Sequence, residues 1–80
     1  MNDAVIEIDI HSMTVVQAQT AVDAKLKRAA GAYRIRVIHG YHGGTALRDM
    51  IRSRYKKHPQ VLRLEMGINP GETDLVLREF

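Results

Sequence analysis

The 80-residue sequence has no cysteine and no tryptophan, and holds only two prolines, one phenylalanine and three tyrosines. Without cysteine, a disulfide framework and a thiolate metal centre are both excluded. No apolar run approaches the roughly 18 residues that a membrane-spanning helix requires. The first residues carry Asp3 and Glu7 with no basic segment ahead of them, so no secretory signal is expected. The expectation is one domain over 1–80 with one modest core, cytoplasmic and with no membrane partner. Acid is also scarce, but only locally. Residues 25–63 hold eleven of the twelve Lys and Arg residues and a single acid, Asp49, a local formal charge of +10 in a chain of net charge +3. A region of that sign attracts polyanions through their phosphates, which favours nucleic acid over a merely solvated surface.

The apolar pattern sets the elements. From Val5 to His11 apolar and polar residues alternate, with Ile6, Ile8 and Ile10 on one face and Glu7, Asp9 and His11 on the other, as in a half-buried strand. Val15, Ala18, Val22, Leu26 and Ala29 then recur at helical spacing. Thr14 and Gln17 are placed for a capping box, and Gly31 for a left-handed stop. A second strand is expected over 33–38, with Ile35 and Val37 inward and Arg34 and Arg36 outward. Leu47, Met50, Ile51 and Tyr55 mark a second helix, ended at His58-Pro59. A third strand is expected over 61–66, with Leu62, Leu64 and Met66 on one face. The turn Asn69-Pro70-Gly71-Glu72 leads to a last strand over 73–77. The order β-α-β-α-β-β implies a two-layer α/β sandwich, a four-stranded mixed sheet with two helices on one face. The opposite face, with Glu7, Asp9, Arg34, Arg36, Arg63, Glu65 and Asp74, is expected to be wet.

Chemistry concentrates at one end of this sheet. Ile38-His39-Gly40-Tyr41-His42-Gly43-Gly44-Thr45 joins a strand to a helix. A glycine-rich turn of this kind leaves backbone N–H groups unpaired at the positive end of a helix dipole, which suits a phosphate. Tyr41 can stack on a base or pack over the turn. Arg48, Arg52 and Lys56 follow at intervals of four and form one basic ridge on the helix. Asp9 and His11, about 6.6–6.8 Å apart at strand rise, share a side. Histidine serves as general acid or base near neutral pH, and a carboxylate can orient it or ligate a divalent ion. A second reading of Asp9, His11, His39 and His42 is a ligand set for loosely held Mg²⁺ or Mn²⁺, although their spacing matches no diagnostic metal motif.

Four motifs in order resemble the small MutS-related (Smr) domain, over Ile6 to Leu77. Ile8-Asp9-Ile10-His11 resembles the family's Leu-Asp-x-His motif, and Thr14-Val15-x-x-Ala18 the start of its first helix. Ile38-His39-Gly40, with Gly43-Gly44 and Ala46-Leu47-Arg48, resembles the His-Gly-x-Gly motif and the helix after it. Gly71-x-Thr73 resembles the closing glycine-rich turn. Ser12 stands where the family usually has glycine, and the loop carries one residue more than the family pattern. The resemblance implies a fold similar to the C-terminal domain of translation initiation factor 3. It further implies nucleic-acid binding, often with nicking or endonuclease activity on DNA or RNA, and links to recombination and to ribosome rescue. On this resemblance Asp9, His11 and His39 are the catalytic candidates. Gly40, Tyr41, His42, Gly43, Gly44, Thr45, Arg48, Arg52 and Lys56 are the phosphate-binding candidates. The partners implied are DNA or RNA, with a ribosome or a larger repair protein behind them. The alternative is a non-catalytic adaptor that binds nucleic acid or docks on a ribosome.

Overall fold

The computed structural model describes residues 5–29, 31–40, 45–66 and 69–79. Six elements follow in the expected order: β1 (Val5–Asp9), α1 (Val15–Lys27), β2 (Arg34–Ile38), α2 (Ala46–Tyr55), β3 (Arg63–Glu65) and β4 (Glu72–Val76). The sheet order is β1-β2-β4-β3, with β1 and β2 parallel and β4 antiparallel to both of its neighbours. The chain therefore returns after α2 to lay β3 at the edge, and β4 inserts between β2 and β3.

The start of α1 follows the expected chemistry. The Thr14 side chain accepts from the Gln17 N–H at 3.1 Å, and the Gln17 side chain accepts from the Thr14 N–H at 3.0 Å. The capping box thereby satisfies two donors that the helix itself cannot. The helix stops earlier than Gly31, at Lys27 with Arg28 as its cap. Gly31, at φ +96°, instead sits in a turn closed by the Ala32 N–H on the Ala29 carbonyl, where positive φ favours glycine.

One face of the sheet carries the core. Ile35, Val37 and Leu75 from the strands meet Ala18, Val22 and Leu26 of α1 and Ile51 and Tyr55 of α2, all of them buried. Burial of each large aliphatic side chain contributes roughly 1.5–3 kcal/mol. The two helices also join directly. The Tyr55 hydroxyl donates to Asp23 at 2.6 Å, and Arg54 donates to the same carboxylate at 2.8 Å.

β3 is shorter than the alternating run over 61–66 suggests. Val61 is buried and its N–H closes a turn on the His58 carbonyl, while the ladder with β4 spans Arg63–Glu65 and the Leu62 N–H adds one bond to the Val76 carbonyl at 2.7 Å. Leu62 and Met66 are left 58% and 57% exposed, because α2 packs over β4 rather than over the edge strand.

The opposite face corrects a second expectation, since its centre is dry. Asp74 is 6% exposed and Val76 fully buried there. Asp74 accepts from Arg34 at 2.6 Å and from Arg36 at 3.1 Å. Glu65 pairs with Arg34 and Arg63, both at 3.0 Å, and Arg63 reaches Glu79 at 2.7 Å. The long arginine stems lie across the strands and exclude water from the residues beneath. Hydrogen bonds to Asp74 hold the Arg34 and Arg36 guanidinium groups above their ordinary range.

Loss of the central acceptor should therefore be felt throughout the sheet. Asp74→Ala strands two arginines and is expected to lower the unfolding free energy by about 2–3 kcal/mol. That is below the full cost of breaking a buried pair, because the guanidinium ends reach solvent. Urea unfolding checks this; a midpoint equal to wild type would mean that the charge lattice is ornamental.

Candidate nucleic-acid interface

β1 ends at Asp9, and Ile10 is buried with its N–H on the Ile38 carbonyl at 2.9 Å. This contact continues the parallel β1–β2 pairing by one residue and turns His11 out of the sheet. The Asp9 carboxylate then accepts from two donors on the same residue, the His11 backbone N–H at 3.0 Å and the His11 ring Nδ1 at 2.5 Å. The backbone contact is a local side-chain turn of the kind aspartate forms two residues ahead. The ring contact, followed by the backbone one, holds the Asp9 carboxyl below the usual carboxylate range. With Nδ1–H committed to the carboxylate, the neutral imidazole presents Nε2 as its proton acceptor. Both side chains are more than half exposed, so Nε2 can meet a ligand.

His39 has the opposite environment. It is 4% exposed, and both ring nitrogens are engaged inside the protein. Nδ1 donates to the Gly40 carbonyl at 2.9 Å, and Nε2 accepts from the Thr73 hydroxyl at 2.9 Å. Thr73 in turn accepts from the Arg52 Nε–H at 3.3 Å. Burial lowers the His39 pKa most; the Gly40 contact opposes this, and the positive field of Arg52 and Arg48 adds to the lowering.

The backbone here is pinned as well. The N–H groups of His39 and Gly40 both donate to the Gly71 carbonyl at 2.9 Å. Gly40 has φ +77°, and a Cβ there would stand 3.3 Å from the His11 Cβ. The backbone conformation favours glycine here, and any side chain would also crowd His11. Gly40 joins the two motifs: Asp9 and His11 on one side, His39, Thr73 and Arg52 on the other.

At the start of α2, Thr45 makes no side-chain cap. Its hydroxyl donates forward to Asp49 at 2.9 Å, and Arg48 donates to the same carboxylate at 3.2 Å. These two contacts, the Thr45 hydroxyl first, keep the Asp49 carboxyl below its usual range. The acid beside the expected phosphate ligands is thus partly compensated. Of the basic ridge, Arg52 and Lys56 form no ion pair with an acid among the described residues, whereas Arg34, Arg36, Arg54 and Arg63 do. Arg34, Arg36 and Arg63 are thus compensated on the sheet, while Arg52 and Lys56 on α2, Lys57 just after it, and Lys25, Lys27 and Arg28 at the end of α1 keep no acid partner among the described residues. Tyr41, His42, Gly43 and Gly44 lie outside the described residues. Among those described, no three His, Cys, Asp or Glu side chains come together as a metal cluster, and the ring nitrogens of His39 are already taken.

This geometry can be set against known proteins. The Smr domain family model matches residues 8–72, from the residue before Asp9 to the start of β4. The chain belongs to the Smr domain family. The Smr domain of Thermus thermophilus MutS2, known from a crystal structure, superposes with a TM-score of 0.83 at 31% identity, covering 92% of this chain and 99% of that one. No curated protein matches the sequence. The four-stranded mixed sheet with two helices is the Smr fold. No described helix of this Smr domain is long and apolar enough to cross a membrane.

Thr73 and Gly71 were absent from the sequence-derived site. The Gly71-x-Thr73 motif pointed to them as a turn, but their role arises only from the pairing of β4 with β2, which the linear order does not show. Asp49 was missed because a lone acid in a basic run reads as a surface residue.

The neutral state of His39 has a measurable consequence. Its folded pKa lies below the unfolded value of 6.5, so below that pH the unfolded chain takes up a proton that the folded one refuses. Its contribution to stability is complete above pH 6.5 and is lost as pH falls through the folded pKa, with a slope that cannot exceed about 1.4 kcal/mol per pH unit for one proton. Denaturation across pH 7 to 5, with ring ¹⁵N spectra that show a proton on Nδ1 of His39, checks both parts. A His39 ring already protonated at pH 6.5 would contradict them.

Proposed function

We propose that this Smr domain binds nucleic acid and cleaves its phosphodiester backbone, with Asp9 and His11 performing the chemistry. The observation that carries this reading is the Asp9–His11 pair itself, an exposed imidazole with Nδ1 held by a carboxylate and Nε2 open, set against Gly40. In the cleavage step, Nε2 of His11 takes the proton of the attacking hydroxyl, from water or from a ribose 2′-OH. The oxygen then bonds to phosphorus, and the leaving oxygen departs with a proton from solvent. Asp9, ionised at neutral pH, stabilises the imidazolium so formed.

Binding falls to the neighbouring elements. Arg48, Arg52 and Lys56 supply positive charge along α2, with Gly40 and Thr45 at the two described ends of the glycine-rich loop. Tyr41, His42, Gly43 and Gly44 are proposed as phosphate contacts on sequence grounds alone. His39 is assigned a positioning role rather than proton transfer. Its buried, doubly bonded ring holds the Gly40 carbonyl and links it through Thr73 to Arg52. The Smr family resemblance, with its nucleic-acid binding and nicking, supports the same assignment.

Purified wild-type protein, His11→Ala and Asp9→Asn should be compared on labelled single-stranded RNA, duplex DNA and branched DNA, with and without Mg²⁺ or Mn²⁺. His11→Ala is expected to reduce cleavage by about 10²–10⁴-fold while binding persists. Asp9→Asn should also slow cleavage and leave binding in place. Binding by all three proteins with no cleavage by wild type would make this an adaptor. Cleavage unchanged in His11→Ala would remove the dyad from the mechanism.

A further inference from the structure

A groove of about 720 Å³ runs between α2 and the edge strand β3, within the roughly 300–1,000 Å³ range of small-ligand sites. Its strand side is mainly apolar: Leu62 and Met66 are more than half exposed and Leu64 lies between them, with Arg63 adding the one charged residue. Its helix side carries Arg52, Ser53 and Lys56, with Asp49 at the end, its carboxylate already accepting from Thr45 and Arg48. Arg52 and Lys56 both face no acid at ion-pair distance among the described residues. The groove is therefore continuous with the basic ridge, and through the Arg52–Thr73–His39 contacts it is tied to the loop beside His11.

We propose that this groove is a nucleobase subsite for an unpaired strand, a proposal that rests on the nucleic-acid reading above. A single strand offers two chemistries side by side, an anionic backbone and flat apolar base faces. The groove offers their complements, with cations along α2 and an apolar wall on β3. A duplex hides its base faces in the stack and has no use for that wall. The flexible Met66 thioether can adapt to any base, which fits binding without sequence preference. A peptide strand is a poorer occupant. β3 is only three residues long, and its two charged residues, Arg63 and Glu65, oppose edge pairing.

The test compares wild type with the double variant Leu62→Ser/Met66→Ser, both at exposed positions, by fluorescence anisotropy. The probes are a short oligouridylate, an oligothymidylate, an abasic strand with the thymidylate backbone and a DNA duplex of equal length. Val16→Ser, at a 70% exposed apolar residue on α1, controls for replacing an exposed apolar side chain by serine away from the groove. The double variant is expected to bind both base-bearing strands about five-fold more weakly, with affinity for the abasic strand and the duplex unchanged and Val16→Ser equal to wild type on every probe. An equal loss on the abasic strand, or no loss on the base-bearing strands, overturns the subsite, whatever the substitutions do to self-association or peptide capture. Failure of wild type to bind any probe overturns the nucleic-acid reading and the subsite together. Normal wild-type binding with an unaffected double variant overturns the subsite alone.

Discussion

The antiparallel pairing of β4 with β2 is the constraint on which the rest of the structure depends. Its register sets Thr73 opposite Val37 and Asp74 opposite Arg36. Adjacent residues of a strand point to opposite faces, so these two neighbours organise different sides of the sheet. Thr73 faces the helices, donating to His39 and accepting from Arg52. Asp74 faces away and gathers Arg34 and Arg36. Just before them, the Gly71 carbonyl holds the N–H groups of His39 and Gly40. A shift of this pairing by one residue would exchange the two faces and dismantle both arrangements.

The same pairing decides where positive charge is available. Composition alone shows a basic middle region without saying which side of the molecule it occupies. On the sheet, Arg34, Arg36 and Arg63 meet Glu65, Asp74 and Glu79, and the surface they cover is charge-compensated. Arg54 is tied to Asp23 between the helices. Of the cations left without an acid partner among the described residues, Arg52 and Lys56 lie on α2, which follows the loop after β2, and Lys25, Lys27 and Arg28 lie at the end of α1. The two histidines diverge as well. His11 stays at the surface with one nitrogen open, while His39 is buried with both in use.

Much of the fold was legible because it rests on local patterns. Alternation over Val5–Asp9 and the Thr14–Gln17 pair need only neighbouring residues, and both formed as expected. The dry centre of the open face was not legible. Alternating Arg and Asp residues read as solvated until the pairing brings an aspartate between two arginines. β3 shrank because Val61 found burial in a turn, which is a tertiary outcome. At the site, Asp9 and His11 were visible from their spacing, but nothing local distinguishes His11 from His39. That difference depends on Thr73, thirty-four residues further along the chain.

On the proposed function, the Asp9–His11 pair, the turn at Gly40 and the ridge of α2 form one surface for nucleic acid. Backbone amide shifts during titration of ¹⁵N-labelled protein with a single-stranded oligonucleotide test it most directly. The largest changes are expected at His11, Gly40, Arg48, Arg52 and Lys56, with Arg36, Glu65 and Asp74 unmoved. Changes concentrated on the open face of the sheet, with α2 silent, would contradict it.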